Sequence, residues 1–164
     1  MNEVARQERN RQKLTECFPT FAARAGAVIK DMEAEGFRPR IQEAHRSIQD
    51  QLVAFKKGNS KVKFGFHNVT GKDGKPEALA VDVLDDNNPL NPPRKYVIRL
   101  AALAQNHGLQ TGASFGLTAV LKKGLSRAIE ENDFSASVKI GFDPTHVEVS
   151  GITISEAKAG KRPK

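Results

Sequence analysis

Apolar residues recur at Phe21, Ala25, Val28, Ile29 and Met32, the three- and four-residue spacing of a helix with one buried face. Pro19 suits the first turn of that helix, because it has no N–H to leave unpaired there, and Gly36 marks its end. Residues 38–44 follow as a short, mostly polar strand candidate. Ser47, with Asp50 three residues on, is an N-terminal capping signature for a helix that stops at Gly58. Residues 79–84 read Leu-Ala-Val-Asp-Val-Leu, a short apolar run suited to a buried strand. Residues 87–93 carry three asparagines and three prolines and predict a loop. A helix over 96–107 closes at Gly108, and another over 117–129 is interrupted by Gly124. Residues 137–140 and 147–154 read as two strands separated by 141–145. The chain is therefore expected to be α+β, a small, mainly antiparallel sheet with flanking helices, and it contains no internal repeat.

At 164 residues, 38% hydrophobic and 27% charged, the chain is the size and make-up of one folded domain. Residues 1–154 are expected to form it. Residues 155–164, where Lys158, Lys161, Arg162 and Lys164 lie among Gly and Pro, predict a basic, loose tail. The formal charge of +7 favours anionic partners without naming one. No nucleic-acid-binding motif is present, and with no Trp and one Tyr the stacking groups for single strands are few.

The residues near Met1 are polar and charged, with no apolar run of secretory type, and nowhere is there a run of membrane-spanning length. The expectation is a monomer made in the cytoplasm without a signal peptide and without membrane insertion. Cys17 is the one cysteine, which excludes an intramolecular disulfide and a thiolate metal site. A metal would need histidine and carboxylate.

Two features supply those groups. Asp82 interrupts the apolar run 79–84, where an unpaired carboxylate would be costly and so must find a cation, a hydrogen-bond network or a metal. Residues 142–148 read Phe-Asp-Pro-Thr-His-Val-Glu. A zinc hydrolase needs three protein ligands, an open fourth position, and a base that is not itself a ligand. His67, Asp82 and His146 supply two imidazoles and a carboxylate, and Asp143 lies three residues before His146 on a Pro-containing segment. Glu148 is a candidate to orient a ligand, or else an outward-facing strand residue. A competing motif, Gly112-Ala113-Ser114-Phe115-Gly116, matches the Gly-x-Ser-x-Gly of serine hydrolases, with Asp143 and His146 following in the usual order. Its context is wrong, since it follows a helix ended by Gly108 rather than a strand of a large parallel sheet.

Over about residues 18–149 the chain resembles the zinc peptidases that include D-alanyl-D-alanine carboxypeptidases and phage L-alanyl-D-glutamate endopeptidases, which share their fold with the hedgehog signalling domain. One signature is matched by Arg46-Ser47, Gln51, Ala54, Gly58 and Ser60, a second by His67-Asn68 and Ala80-Val81-Asp82, and a third by Asp143-Pro144-Thr145-His146-Val147-Glu148. The chain departs from the pattern in the longer separation of His67 from Asp82, where residues 69–77 form an inserted loop, and in Gly65 and Ala78, which replace a usual Ser and Gly.

The resemblance implies one zinc ion held by His67, Asp82 and His146, a general base at Asp143, and a substrate-binding or oxyanion-stabilising role for Arg46. It implies the stem peptide of bacterial peptidoglycan as substrate, cleaved by an L-alanyl-D-glutamate endopeptidase of endolysin type. A phage origin, with the wall reached after release from the cytoplasm and an antimicrobial effect there, suits the small size. A D-alanyl-D-alanine carboxypeptidase, a secreted wall-degrading toxin, and a non-enzymatic basic module that binds polyanions are the alternatives.

Overall fold

The computed structural model describes residues 1–164. Six helices, α1 (Glu3–Leu14), α2 (Pro19–Ala34), α3 (Ile48–Lys56), α4 (Arg94–Asn106), α5 (Ala119–Glu131) and α6 (Ile154–Lys158), surround a sheet of four strands, β1 (Pro39–Glu43), β2 (Ala80–Asp85), β3 (Leu109–Gly112) and β4 (Asp143–Val149). The strand order is β1-β2-β4-β3 and every pairing is antiparallel. The α+β architecture with a small antiparallel sheet is the one the sequence predicts.

Strand alternation divides the sheet into two faces. Val81, Val83, Val147 and Val149 are all but inaccessible, and they join Phe21, Met32, Tyr96 and Leu100 in one continuous core. The Tyr96 hydroxyl donates to the carbonyl of Val83 at 3.0 Å, so the one tyrosine leaves no buried polar group unpaired. The residues that alternate with these valines, Asp82, His146 and Glu148, carry the other face. Helix α2 buries Phe21, Ala25, Val28, Ile29 and Met32 as its spacing predicts. The Ser47 side chain caps α3 by accepting from the Asp50 N–H at 3.0 Å. Gly58 and Gly108, just past α3 and α4, take positive φ, the left-handed geometry that ends helices on glycine. Gly124 does not interrupt α5.

Three expectations about the strands need correction. Residues 137–140 form no strand. Val138 is buried and Ile140 packs on the core, so their alternation records burial alone, and the carbonyl of Val138 is taken by the Arg94 guanidinium. The last strand is Val149-ended rather than running to Ile154, because Gly151 at positive φ turns the chain into α6. Asp143 opens β4 instead of lying on a turn. Pro144 is tolerated there because β2 pairs with β4 only from His146 onward. Of the residues from 155 on, Ala157 is buried, and Arg162 bonds Glu77 Oε2 at 2.6 Å and the Thr70 carbonyl at 2.9 Å.

Helix α1 has no counterpart in the sequence reading because its buried stripe is polar. Arg6 and Asn10, one turn apart, are its buried residues, and they face β1, an edge strand. Asn10 behaves as a missing strand neighbour: its Nδ2 donates to the Pro39 carbonyl at 2.9 Å and its Oδ1 accepts from the Ile41 N–H at 2.7 Å. Arg9 Nε and Nη2 bond the carbonyls of Ile41 and Gln42, each at 2.8 Å. Arg6, 1% exposed, pairs with Glu3 and with Glu33 of α2. An exposed edge that would otherwise invite another strand is thus covered.

Asn10→Ala leaves the Ile41 N–H buried without its acceptor and should cost about 1–3 kcal/mol, read as a lower urea midpoint at unchanged slope. A loss within error of zero would show that α1 does not seal the edge.

Candidate active site

The pairing of β2 with β4 sets Asp82 directly opposite His146. His67 comes from a 3-10 turn, Phe66–Asn68, pinned to both peptide groups of Arg46. Its carbonyl accepts from the Arg46 N–H at 2.9 Å, and Asn68 Nδ2 donates to the Arg46 carbonyl at 2.9 Å. The segment between His67 and Asp82 does not disturb this placement. It folds back on itself through a Thr70–Pro76 bridge and a bond from the Gly71 N–H to the Lys75 carbonyl at 2.9 Å, with residues 72–76 exposed.

Three side-chain atoms converge. His67 Nε2 and His146 Nδ1 are 3.2 Å apart, His146 Nδ1 and Asp82 Oδ1 3.1 Å, and His67 Nε2 and Asp82 Oδ1 3.4 Å. Donors bound at 2.0–2.1 Å around a tetrahedral ion lie roughly 3.3–3.4 Å from one another, so this triangle has the dimensions of one face of a zinc site. The outward nitrogens are also committed. His67 Nδ1 donates to the Ala44 carbonyl at 2.6 Å and His146 Nε2 lies 2.8 Å from Glu148 Oε2. Anchoring the far nitrogen of each ring fixes the tautomer that points a lone pair inward. Glu148 is itself held by Gln110 Nε2, which donates to Oε1 at 2.7 Å. The residues present fit a zinc ion.

The electrostatics without an ion agree with that donor set. Burial opposes charge on Asp82, but hydrogen bonds from His146 and His67 outweigh it and hold the carboxyl well below its ordinary range. Burial likewise opposes charge on His146, yet Asp82 and Glu148 raise its pKa to about 10. The carboxylates therefore keep a proton in the place a cation would take. A ligand nitrogen must lose that proton, so cation uptake near neutral pH releases it and strengthens as pH rises toward that value.

His67, Asp82 and His146 line a cavity of about 630 Å³ that Asp143 and Arg46 also line. Burial pushes the Asp143 carboxyl above its ordinary value. Its backbone is held by close packing: a Cβ on Gly112 would stand 2.1 Å from the Asp143 carbonyl oxygen, and one on Gly141 would stand 2.3 Å from the carbonyl of Phe115. These contacts give the Gly112–Gly116 segment its glycines. Ser114 lines a different, smaller cavity, so the serine-hydrolase arrangement does not form. Arg46 is fixed by Glu43 on Nε at 3.0 Å and by Gln51 Oε1 on Nη1 at 3.0 Å. Gln51 reaches on to Ser60 Oγ and the Val62 carbonyl, each at 2.7 Å. The Arg46-Gln51-Ser60 signature is thus one hydrogen-bonded strut along the cavity wall. Gln110 carried no mark in the sequence, since it is a polar residue on a strand of four residues that the pattern did not reveal.

No family model and no curated protein matches the chain. The α+β fold is nonetheless a known one. The solved structure of the Serratia marcescens L-Ala D-Glu endopeptidase ChiX is similar to it, with a TM-score of 0.56 over 91% of this chain and 94% of that one, at 13% identity.

Removing the carboxylate behind His146 with Glu148→Ala should weaken zinc binding by about 10- to 100-fold, measured by competition with a chromophoric chelator, and Glu148→Gln should recover part of the loss. Equal affinity in all three proteins would show that Glu148 does not orient the ring.

Proposed function

We propose that the chain is a zinc-dependent peptidase that hydrolyses the stem peptide of bacterial peptidoglycan, at the L-alanyl-D-glutamate bond in the manner of an endolysin. The observation that supports this most is the triangle of His67, Asp82 and His146, with donor separations of 3.1–3.4 Å, open to a cavity that also contains Asp143 and Arg46. Likeness of fold to ChiX, an L-Ala D-Glu endopeptidase, supports the choice of substrate and bond.

A zinc ion held by these three residues supplies a Lewis acid that polarises a carbonyl and acidifies a water. The remaining work falls to the chain. The water that attacks the scissile carbonyl must give up a proton. The Asp143 carboxylate, its proton affinity raised by burial, receives that proton and returns it to the amine that leaves. Arg46 spends three of its five N–H donors on Glu43 and Gln51, which fix its plane. The remaining donors face the negative charge that develops on the carbonyl oxygen. The cavity volume of about 630 Å³ suits a few residues of an extended peptide rather than a protein surface. In this reading residues 1–154 are the catalytic unit, acting as a monomer on the wall once the protein has been released from the cell that made it. No helix is long and apolar enough to cross a membrane.

Asp143→Asn should retain zinc and fold while lowering wall hydrolysis by about 10²- to 10⁴-fold. A chelator should stop the wild-type protein and zinc should restore it. Mass analysis of the fragments should find new alanine carboxyl and glutamate amino ends. Release of terminal D-alanine alone would assign the carboxypeptidase reaction instead, and cleavage confined to sugar chains would refute the peptidase reading.

A further inference from the structure

One arginine and one lysine line the cavity, Arg46 and Lys61, and their situations differ. Arg46 is already neutralised by Glu43. Lys61 forms no ion pair and no hydrogen bond with any carboxylate. Its ammonium stands 4.1 Å from the centre of the Phe142 ring, a cation–π placement that orients the charge while leaving its N–H donors free. Phe142 is itself held in position, although it is 58% exposed. Its ring packs on Phe115 with centroids 5.9 Å apart, and a Cβ on Gly116 would lie 2.9 Å from it, so only glycine leaves it room. Phe142 directly precedes Asp143. The free ammonium thus lies on the wall of the cavity that Asp143 also lines.

The substrate chemistry supplies a matching anion. A glutamate residue whose amine is acylated by alanine has two carboxyl groups, and only one of them continues the chain. Whichever that is, a second carboxylate remains free within a few bonds of the amide to be cut. We propose that Lys61 is a specificity-determining residue that binds this free carboxylate and so selects stem peptides in which it is not amidated. The proposal rests on the peptidase reading for its choice of ligand. Its geometric basis, an unpaired ammonium seated on an aromatic ring in the cavity wall, is independent of which residue performs catalysis. An amidated substrate presents Lys61 with a neutral group and so loses the charge-assisted contact that the free carboxylate makes.

The test uses zinc-loaded protein and two synthetic peptides containing L-alanyl-D-glutamate, one with the free carboxylate and one with that group as the primary amide. Affinity is read by calorimetry in the Asp143→Asn background, where turnover does not interfere, and KM and kcat are read separately with active protein. The free acid should bind about 10-fold more tightly than the amide. Lys61→Met should remove that preference by weakening the acid alone, with the change appearing in KM rather than kcat, and Lys61→Arg should restore most of it. Equal affinities for the two peptides, or an undiminished preference in Lys61→Met, would overturn the proposal. Selective binding by a protein that cleaves neither peptide would sink the peptidase reading and leave the carboxylate site standing.

Discussion

The site depends on one cross-strand register. Asp82 and His146 meet because β2 and β4 pair antiparallel with these two residues directly opposed, and a shift of one residue would turn every side chain of a strand to the other face. The register is not set by the site itself. Val81 opposite Val147, with Val83 and Val149 beyond, occupies the core face, where each is at most 2% exposed. Moving these valines into solvent would cost far more than the three polar groups on the other face gain by meeting. Hydrophobic burial on one side of a sheet thus places a charged cluster on the other.

That division explains how a half-buried acid and two buried imidazoles are tolerated. The far nitrogen of each ring is answered from a rigid neighbour, His67 by the Ala44 carbonyl and His146 by Glu148 of its own strand, which Gln110 of the adjacent strand holds in turn, while Asp82 bonds His146. Behind the ligands the support is backbone and sheet rather than loop, which holds donors to the tolerance that a metal requires. Toward the cavity the wall is different in kind. It is built from the paired ends of β3 and β4 and the turns beside them, with glycines at 112, 116 and 141 allowing backbone and ring to approach where any Cβ would collide, and it is there that Asp143, Phe142 and Lys61 lie.

The edges of the sheet are protected in contrasting ways. At β1 the side chains of α1 occupy the open hydrogen-bonding positions, Asn10 most completely. At the other edge β3 is only four residues long, too short to template another strand. Similarity of fold to ChiX over nearly the whole of both chains at 13% identity agrees with a frame of this type, in which burial pattern and register are the constraints and most individual residues are free.

The sequence alone determined α2, α4, α5 and β2, because each buries an apolar face whose period is local and regular, and it marked α3 by the Ser47 cap and the Gly58 stop and β1 as a short, mostly polar candidate. It also determined which residues could bind a cation, since Asp82 is the one acid in an apolar strand and His146 and Asp143 share one short segment. It did not reveal α1, whose buried stripe is Arg6 and Asn10, or β3, which is too brief for a period to develop. It suggested a strand at 137–140 where Val138 is buried and Ile140 partly buried, without pairing. Only the tertiary structure decided how closely His67, already named from the sequence, meets Asp82 and His146, that Gln110 and Glu148 stand behind His146, and that Lys61 rests on Phe142. These are contacts between residues tens of positions apart, and a one-dimensional pattern records which side of an element is dry but not which distant residue will lie against it.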